Sequence, residues 1–220
     1  MAATADAAFQ SAIDAITFPG IAIAHRLISP GDEAALLPEE APAFAASVVK
    51  VRRASGAARI VARELLARLG LPACALPKGP AGEPIWPLGV VGSLAHDARL
   101  ALATVGMSRD VGALGIDVEP AEPLPPDLLD LVATPQERLA IGDDLRQGRL
   151  LFVAKEAVYK ALYPLDRTFL EHHDVQIDFA ARKAVTRTGR VVELRFCVST
   201  HLAALAFLPG STAPSRHRGA

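Results

Sequence analysis

Two long stretches with helical spacing of apolar residues, flanked by short apolar runs, restrict this chain to a fold that mixes helices with sheets. The first predicted helix covers residues 42–70, with a proline near its start and Gly70 as a stop. Further helices are predicted over residues 127–145 and 149–162, the last one ended by Pro164. Strands before, between and after these helices make the fold class α+β.

The short apolar runs predict six strands, which cover residues 20–28, 90–94, 100–105, 114–118, 191–198 and 202–208. This order divides the chain into two loosely similar halves, residues 1–110 and 111–208. Residues 209–220 form a polar tail that we expect to be disordered.

The composition excludes several classes of protein. Apolar residues make up 51% of the 220 residues, so the chain is not disordered as a whole. A net charge of −1 argues against a protein that coats nucleic acid or an anionic membrane. Cys74 and Cys197 stand in no metal-binding spacing, and we find neither a signal peptide nor an apolar run long enough to span a membrane. We therefore predict a cytoplasmic protein with free cysteines.

A pair of carboxylates marks the predicted strand at residues 114–118. Asp117 and Glu119 are two positions apart and face the same side, while Ile116 and Val118 point into the core. Neighbouring carboxylates repel each other unless a cation or a proton lies between them. Oxygen ligands with no nearby Cys or His favour Mg²⁺, and Mn²⁺ also suits them. The alternative is an edge strand with a solvated outer face.

The last predicted helix carries a third carboxylate. Glu156 shares a helical stripe with three aromatic residues, which are Phe152, Tyr159 and Tyr163. A carboxylate in this setting has a raised pKa unless a cation compensates it, which suits a metal ligand, a general base or both. The alternative is an ion pair with Lys160, four residues later.

Positive charge gathers on the first predicted helix. Arg52, Arg59 and Arg63 fall within about 40° of one another around the helix axis, which suits a phosphate. The alternative is a solvated face. His96 ends a strand beside a glycine-containing turn, where it can donate to a phosphate oxygen or serve the structure alone. The tandem histidines at 172–173 lack the spacing of a metal pair and are predicted to lie in a loop.

In this order and spacing, these segments resemble the 4′-phosphopantetheinyl transferases of the surfactin and enterobactin synthetase type, with the enterobactin branch closest. Besides the arginine helix, the segments that carry the resemblance are residues 82–87, 91–96, 115–119 and 155–160. The resemblance implies a monomer with the α+β fold of this family. Two similar halves would be related by a pseudo-two-fold axis, with coenzyme A held in the cleft between them.

The resemblance also implies a reaction. Asp117 and Glu156, with Glu119 directly or through water, would hold Mg²⁺ on the pyrophosphate of coenzyme A. A serine hydroxyl of an apo carrier protein (peptidyl, acyl or aryl) would attack the β-phosphate, with release of 3′,5′-ADP. Glu156 is the predicted base for the serine proton, with Glu119 or a metal-bound water as alternatives. Lys155 and Lys160 would neutralise phosphate charge.

Seven residues are implied to contact the phosphates of coenzyme A, namely Arg52, Arg59, Arg63, Lys78, His96, Lys155 and Lys160. Arg63 is the best positional match for the 3′-phosphate site. Two positions depart from the family pattern. Ala95 stands where family members have Ser or Thr, and we expect it to remove one hydrogen bond to a phosphate. Glu83 stands where some relatives carry lysine, so Lys78 would substitute for that charge.

Two other functions fit the same residues. A Mg²⁺-dependent phosphodiesterase or nucleotidase would use the three carboxylates, release its product to water and need no protein acceptor. A catalytically lapsed coenzyme A-binding module, which Ala95 suggests, would bind the nucleotide without dependence on Mg²⁺. The combined motifs favour the transferase.

Overall fold

The computed structural model describes residues 6–210 of the chain. Its strands are β1 (Ile21–Leu27), β2 (Val90–His96), β3 (Leu100–Met107), β4 (Val111–Pro120), β5 (Val175–Asp178), β6 (Lys183–Thr186), β7 (Val191–Val198) and β8 (His201–Pro209). Its helices are α1 (Ala7–Asp14), α2 (Val49–Arg68), α3 (Pro126–Val132), α4 (Pro135–Ile141) and α5 (Leu145–Asp166). Short 3₁₀ turns cover Asp32–Ala35, Ala41–Phe44 and His172–Asp174.

These elements form two antiparallel sheets. The first sheet has the order β1-β3-β2 and packs against α2, and the second has the order β4-β8-β7-β6-β5 and packs against α5. The fold class is therefore α+β, as predicted. All six predicted strands are present. The sequence prediction omits α1, β5 and β6, which are short and carry little periodicity.

The first long helix starts later than residue 42. Residues 41–44 form a 3₁₀ turn that buries the Phe44 ring completely, and α2 begins only at Val49. The helix ends at Arg68, and Gly70 follows with a φ of +74°, the left-handed conformation that terminates helices. The predicted stop is therefore confirmed, whereas the predicted start is wrong by about two turns of helix.

The predicted helix at residues 127–145 is two short helices instead of one. Thr134 accepts a hydrogen bond from the backbone N–H of Glu137, and the Glu137 carboxylate accepts one from the backbone N–H of Thr134. This capping box starts α4 and separates it from α3. Pro135 occupies the first position of α4, where its missing N–H has no consequence.

The last helix is longer than predicted at both ends. The Asp144 side chain caps its start by accepting hydrogen bonds from the backbone N–H groups of Arg146 and Gln147. Pro164 lies inside the final turn and does not end the helix, which continues to Asp166. Of the predicted tail at residues 209–220, residues 211–220 lie outside the described part of the chain.

The two sheets meet where β2 lies beside β4. The apolar core at this junction draws on both sheets and on α1, and its completely buried members include Phe9, Leu102, Ile116 and Leu205. No helix within residues 6–210 is both long and apolar enough to cross a membrane. The cleft beside this junction holds the candidate site.

Candidate active site

The helix α5 packs closely against β4 at Gly115. A Cβ atom at this position would overlap with the backbone of Ala157 and Ala161 on the helix. Glycine therefore permits an approach that any other residue would prevent. This approach brings Lys160 of α5 against Asp117 of β4.

Asp117 and Lys160 form an ion pair in the cleft. Asp117 Oδ1 lies 2.6 Å from Lys160 Nζ, and the aspartate is only 7% exposed. Burial raises the pKa of Asp117, and the charge of Lys160 opposes this rise. β4 is an edge strand, as the alternative interpretation required, but a buried aspartate is not part of a solvated face.

The second oxygen of Asp117 is unusual. Oδ2 is buried and has no hydrogen-bond partner within residues 6–210. A buried carboxylate oxygen without a partner is unfavourable, so native structures usually supply a donor or a cation. This oxygen is therefore a candidate ligand atom for a cation.

Glu119 follows Asp117 on the same face of β4. Its Oε2 lies 3.1 Å from Arg149 Nη1, and burial together with the negative charge of Asp117 raises the pKa of Glu119. The sequence prediction did not include Arg149 in the site. A signal for it exists, because Arg149 stands seven positions before Glu156 and hence about two turns away on the same helical face.

Glu156 contacts His172 and not Lys160. The distance between His172 Nε2 and Glu156 Oε1 is 3.1 Å. The hydrogen bond from His172 is the main cause of a lowered pKa of Glu156, followed by burial, which opposes it, and by the charge of Lys160. No sequence spacing indicates this contact, because 16 positions separate the two residues.

The three predicted metal ligands lie in one region, and each is paired with a nitrogen group of the chain. Burial is the main cause of the raised pKa of Asp117, and the negative charge of Glu156 adds to it. Across the described part of the chain, no three His, Cys, Asp or Glu side chains are grouped closely enough to hold a metal ion. The available ligand atoms still suit a hard divalent cation, because the region offers carboxylate oxygens. One of these, Asp117 Oδ2, is buried without a hydrogen-bond partner within the described residues.

A second cluster carries positive charge. Arg59, Lys78 and His96 line a cavity of about 210 Å³, called the cationic cavity below. Partial removal from water is the largest cause of a lowered pKa in all three side chains, although only Arg59 is buried and Lys78 and His96 stay exposed. The charge of Arg59 lowers the pKa of Lys78 further, and that of Lys160 lowers the pKa of His96 further. An anion in this cavity would stabilise the protonated forms of these side chains.

Arg63 and Arg52 do not line the cationic cavity. Arg63 Nη1 lies 3.0 Å from an oxygen of Glu40, which is completely buried, and Arg63 Nη2 donates to the Ala35 carbonyl at 2.6 Å. Arg52 Nη1 donates to the carbonyl of Ser47 at 3.0 Å. Both side chains thus have partners within the chain, and their binding to phosphate stays a prediction. Arg63 also compensates a buried carboxylate.

Arg59 both donates hydrogen bonds within the chain and lines the cationic cavity. Its Nε and Nη2 both donate to the carbonyl of Leu76, at 3.1 and 2.8 Å, and Nη1 donates to the carbonyl of Ser55 at 3.3 Å. The guanidinium therefore fixes the loop that carries Lys78, and its charge still faces the cationic cavity.

Lys155 lies in the core and away from the cleft. It is 1% exposed, and its Nζ contacts a Glu137 oxygen at 2.6 Å and the carbonyls of Val132 and His172 at 2.8 Å each. An ammonium group has three protons, and all three have acceptors here. The prediction that Lys155 neutralises phosphate charge is corrected accordingly.

The two departures from the family pattern also have structural explanations. Ala95 is 3% exposed and packs in the apolar core, so a hydroxyl there would lie among apolar side chains and not beside a phosphate. The Glu83 carboxylate pairs with Arg167, which follows α5, and accepts a hydrogen bond from the backbone N–H of Ala81. Lys78 therefore remains a basic side chain that lines the cationic cavity.

Three cavities follow one another through the cleft. The cationic cavity shares Gly82, Pro84 and Leu94 with a middle cavity of about 160 Å³ that is also lined by Tyr159 and Lys160. Tyr159 is shared in turn with an outer cavity of about 610 Å³. The outer cavity is further lined by Glu156, His172 and Phe169. One groove thus connects the cationic cavity with Lys160 and Glu156, and Asp117 is linked to it through its ion pair with Lys160.

Comparison with known proteins identifies the family. The profile described as "4′-phosphopantetheinyl transferase N-terminal domain" matches residues 39–106, and that of the "4′-phosphopantetheinyl transferase superfamily" matches residues 113–208. The chain is 43% identical over 160 residues to the 4′-phosphopantetheinyl transferase PptT of Mycobacterium tuberculosis, a match that covers 71% of this chain and 70% of PptT. The chain belongs to the 4′-phosphopantetheinyl transferase superfamily.

Two further 4′-phosphopantetheinyl transferases are similar to the chain. Npt of Nocardia iowensis is 44% identical over 180 residues, which cover 80% of this chain and 81% of Npt. Svp of Streptomyces mobaraensis is 42% identical over 156 residues, which cover 68% of this chain and 63% of Svp. The resemblance seen in the sequence is therefore confirmed at the level of the superfamily. Members of this family use coenzyme A as donor together with a divalent metal ion.

Proposed function

We propose that this chain transfers the 4′-phosphopantetheine arm of coenzyme A to a serine of apo acyl or peptidyl carrier protein domains and releases 3′,5′-ADP. The observation that carries the proposal is the groove that links the cationic cavity to Lys160 and Glu156. One end of the groove suits phosphate groups, and the other end offers the Glu156 carboxylate, with Asp117 held against Lys160 between the two ends.

Basic side chains bind and orient coenzyme A in this proposal. Lys78 and His96 contact its phosphates in the cationic cavity, and the Arg59 charge supports them. Lys160 lies between this cavity and the carboxylates and neutralises charge on the pyrophosphate. Fixed cations at a phosphoryl group stabilise the charge that develops during transfer, which is the largest contribution in many reactions of this kind.

Asp117, Glu119 and Glu156 are the residues that would hold the metal ion, which we propose to be Mg²⁺, with Mn²⁺ as the other suitable ion. When bound, the ion neutralises negative charge on the pyrophosphate and on the leaving group. The unpartnered Oδ2 of Asp117 supports this assignment. The positive side chains of Lys160 and Arg149 compensate Asp117 and Glu119 in the structure described here.

Glu156 is the proposed base for the proton of the carrier serine. The hydrogen bond from His172 and the charge of Lys160 lower its pKa, so this carboxylate is ionised and able to accept a proton at neutral pH. Glu119 is the second candidate, and its raised pKa makes it the more basic group. Glu156 lines the outer cavity, and Glu119 lies on β4 against Arg149 of α5.

We propose that residues 1–110 and 111–208 are two halves related by a pseudo-two-fold axis, and that the enzyme is monomeric and cytoplasmic. Membership of the enterobactin branch also stays a prediction. Peptide synthetases, polyketide synthases and fatty-acid synthases all carry suitable carrier domains, and their common feature is the acceptor serine.

Formation of 3′,5′-ADP tests the proposal against its alternatives. The chain is incubated with coenzyme A, Mg²⁺ and either an apo carrier protein or the same carrier with its acceptor serine replaced by alanine. We expect 3′,5′-ADP, measured by chromatography, only with the intact carrier. Equal release with either carrier indicates a phosphodiesterase. Binding of coenzyme A without formation of 3′,5′-ADP, whichever carrier is present, indicates a lapsed binding module.

A further inference from the structure

The carboxylate of Glu156 is held by a residue from outside its own helix. His172 Nε2 lies 3.1 Å from Glu156 Oε1, and since an ionised carboxylate only accepts hydrogen bonds, the imidazole donates. Both side chains are 31% exposed and line the outer cavity. The contact therefore lies in the wall of the groove, where a substrate would pass.

The backbone of His172 is fixed from the core. The buried ammonium of Lys155 donates to the His172 carbonyl at 2.8 Å and is itself held by Glu137 and the Val132 carbonyl. A buried lysine is unfavourable unless every proton has an acceptor, and the His172 carbonyl is one of the three acceptors here. The position of the 3₁₀ turn is thus tied to the core beneath α5.

The imidazole ring is fixed as well. The Phe152 ring packs against the His172 ring, with 5.5 Å between centroids and 47° between planes. Phe152 stands one helical turn before Glu156 on α5, so the same helix face supports both partners. A capping box between Glu171 and Asp174 closes the turn around His172. Backbone, ring and Nε2 of the histidine are all held in place.

We propose that His172 is a positioning residue that fixes the carboxylate of Glu156 toward the groove, and that Lys155 fixes His172 in turn. The inference rests on the proposed function of Glu156. A hydrogen bond to Oε1 leaves Oε2 of the same carboxylate available to a metal ion or to the serine proton. Groups that orient a ligand in this way change metal affinity or activity by about 10–100-fold when they are removed.

The neighbouring histidine provides a matched control. His173 Nε2 contacts the carbonyl of Asp130 at 3.1 Å and belongs to the same 3₁₀ turn. His173→Ala removes an imidazole from this turn without touching Glu156. A general disturbance of the turn would affect both variants, whereas loss of positioning affects only His172→Ala.

Steady-state transfer to an apo carrier gives the first readout. We expect His172→Ala to lower kcat about 10–100-fold with the KM for coenzyme A within about twofold of wild type. His172→Gln, whose amide is also a donor, should recover most of the loss, and His173→Ala should match wild type. A His172→Ala enzyme with normal kcat per folded molecule, or one no worse than His173→Ala, would overturn the proposal.

Binding of Mn²⁺ in the presence of coenzyme A, followed by electron paramagnetic resonance, gives a readout without turnover. We expect His172→Ala to weaken Mn²⁺ binding about tenfold and His173→Ala to leave it unchanged. A lower melting temperature with unchanged Mn²⁺ affinity and unchanged kcat overturns the proposal, because the role is then structural. If the wild-type chain transfers nothing to any carrier, the proposed function fails, and the Mn²⁺ comparison alone decides the role of His172.

Discussion

Lys160 Nζ lies 2.6 Å from Asp117 Oδ1, and this pair replaces the ion pair with Glu156 that the helical spacing of Lys160 would allow. The structure thus uses the one lysine at this position to compensate the more deeply buried carboxylate. Glu156 pairs with His172 instead, and Glu119 pairs with Arg149. Each carboxylate of the candidate site has its own partner, and each partner favours the ionised form of its carboxylate.

Replacement of Lys160 by methionine should destabilise the fold, because it leaves Asp117 buried without a cation. We expect a loss of about 1–3 kcal/mol in the free energy of unfolding, measured with urea. The double variant Lys160→Met/Asp117→Asn should recover most of this loss, since both charges are then absent. Additive losses in the double variant would show that the two residues do not interact.

Replacement of Lys155 by methionine separates a structural role from a phosphate-binding role. Because the lysine compensates Glu137 in the core, we expect a loss of about 3–5 kcal/mol in the free energy of unfolding. The affinity of the folded protein for coenzyme A, measured by calorimetry, should stay within about twofold of wild type. Lys155→Met/Glu137→Gln should regain part of the stability. Normal stability combined with weak coenzyme A binding would restore the phosphate-binding role.

Lys78 and Arg63 make opposite predictions for recognition of the 3′-phosphate. Lys78 lines the cationic cavity, so Lys78→Gln should lower the preference for coenzyme A over dephospho-coenzyme A by about tenfold. Arg63 is bound to Glu40, so Arg63→Gln should lower stability and leave that preference unchanged. Competitive binding of the two nucleotides measures the ratio. A lost preference in Arg63→Gln and a normal one in Lys78→Gln would reverse the assignment.

Periodicity in the sequence was sufficient for the six strands, for the two long helices and for the shared face of Asp117 and Glu119. It was insufficient where tertiary contacts decide. The start of α2 depends on burial of Phe44, a side chain that the sequence alone cannot distinguish from the helical residues after it. The Thr134 capping signal, followed by Pro135, was present in the sequence, and the break between α3 and α4 was open to prediction.

In the candidate site, too, the sequence identifies some residues, whereas tertiary contacts decide the roles of others. Motif spacing selected Glu156, Lys160, Lys78 and His96, which line the groove, and Asp117, which pairs with Lys160. The arginine stripe on α2 was a weaker guide, because the helix geometry is compatible both with a phosphate and with the buried carboxylate of Glu40 that Arg63 contacts. The hydrogen bond from His172 to Glu156 joins distant positions and follows only from the packing of the 3₁₀ turn against α5.

Acid should destabilise the protein partly through His96. Partial removal from water and the charge of Lys160 lower the pKa of His96 below its ordinary value of 6.5, against an opposing effect of Asp97, although the residue stays exposed. The unfolded chain therefore binds this proton at a higher pH than the folded chain, and stability is lost as the pH falls through the folded pKa. His25, whose pKa burial also lowers, acts in the same direction.

His96→Gln should reduce this pH dependence. We expect a smaller loss of unfolding free energy between about pH 7 and pH 5 in the variant than in the wild type. Urea unfolding of both proteins at a series of pH values measures the difference. An equal or larger loss in His96→Gln would contradict the assignment, because the remaining groups would then account for the whole effect.

The most direct test of the central claim is the intact mass of an apo carrier protein after incubation with this chain, coenzyme A and Mg²⁺. Parallel reactions contain EDTA or the Glu156→Gln variant, whose fold is checked by circular dichroism. We expect the carrier to gain one phosphopantetheine with the wild-type chain and nothing in either control. A carrier that stays unmodified with the wild-type chain, or that is modified equally well by Glu156→Gln, would contradict the account.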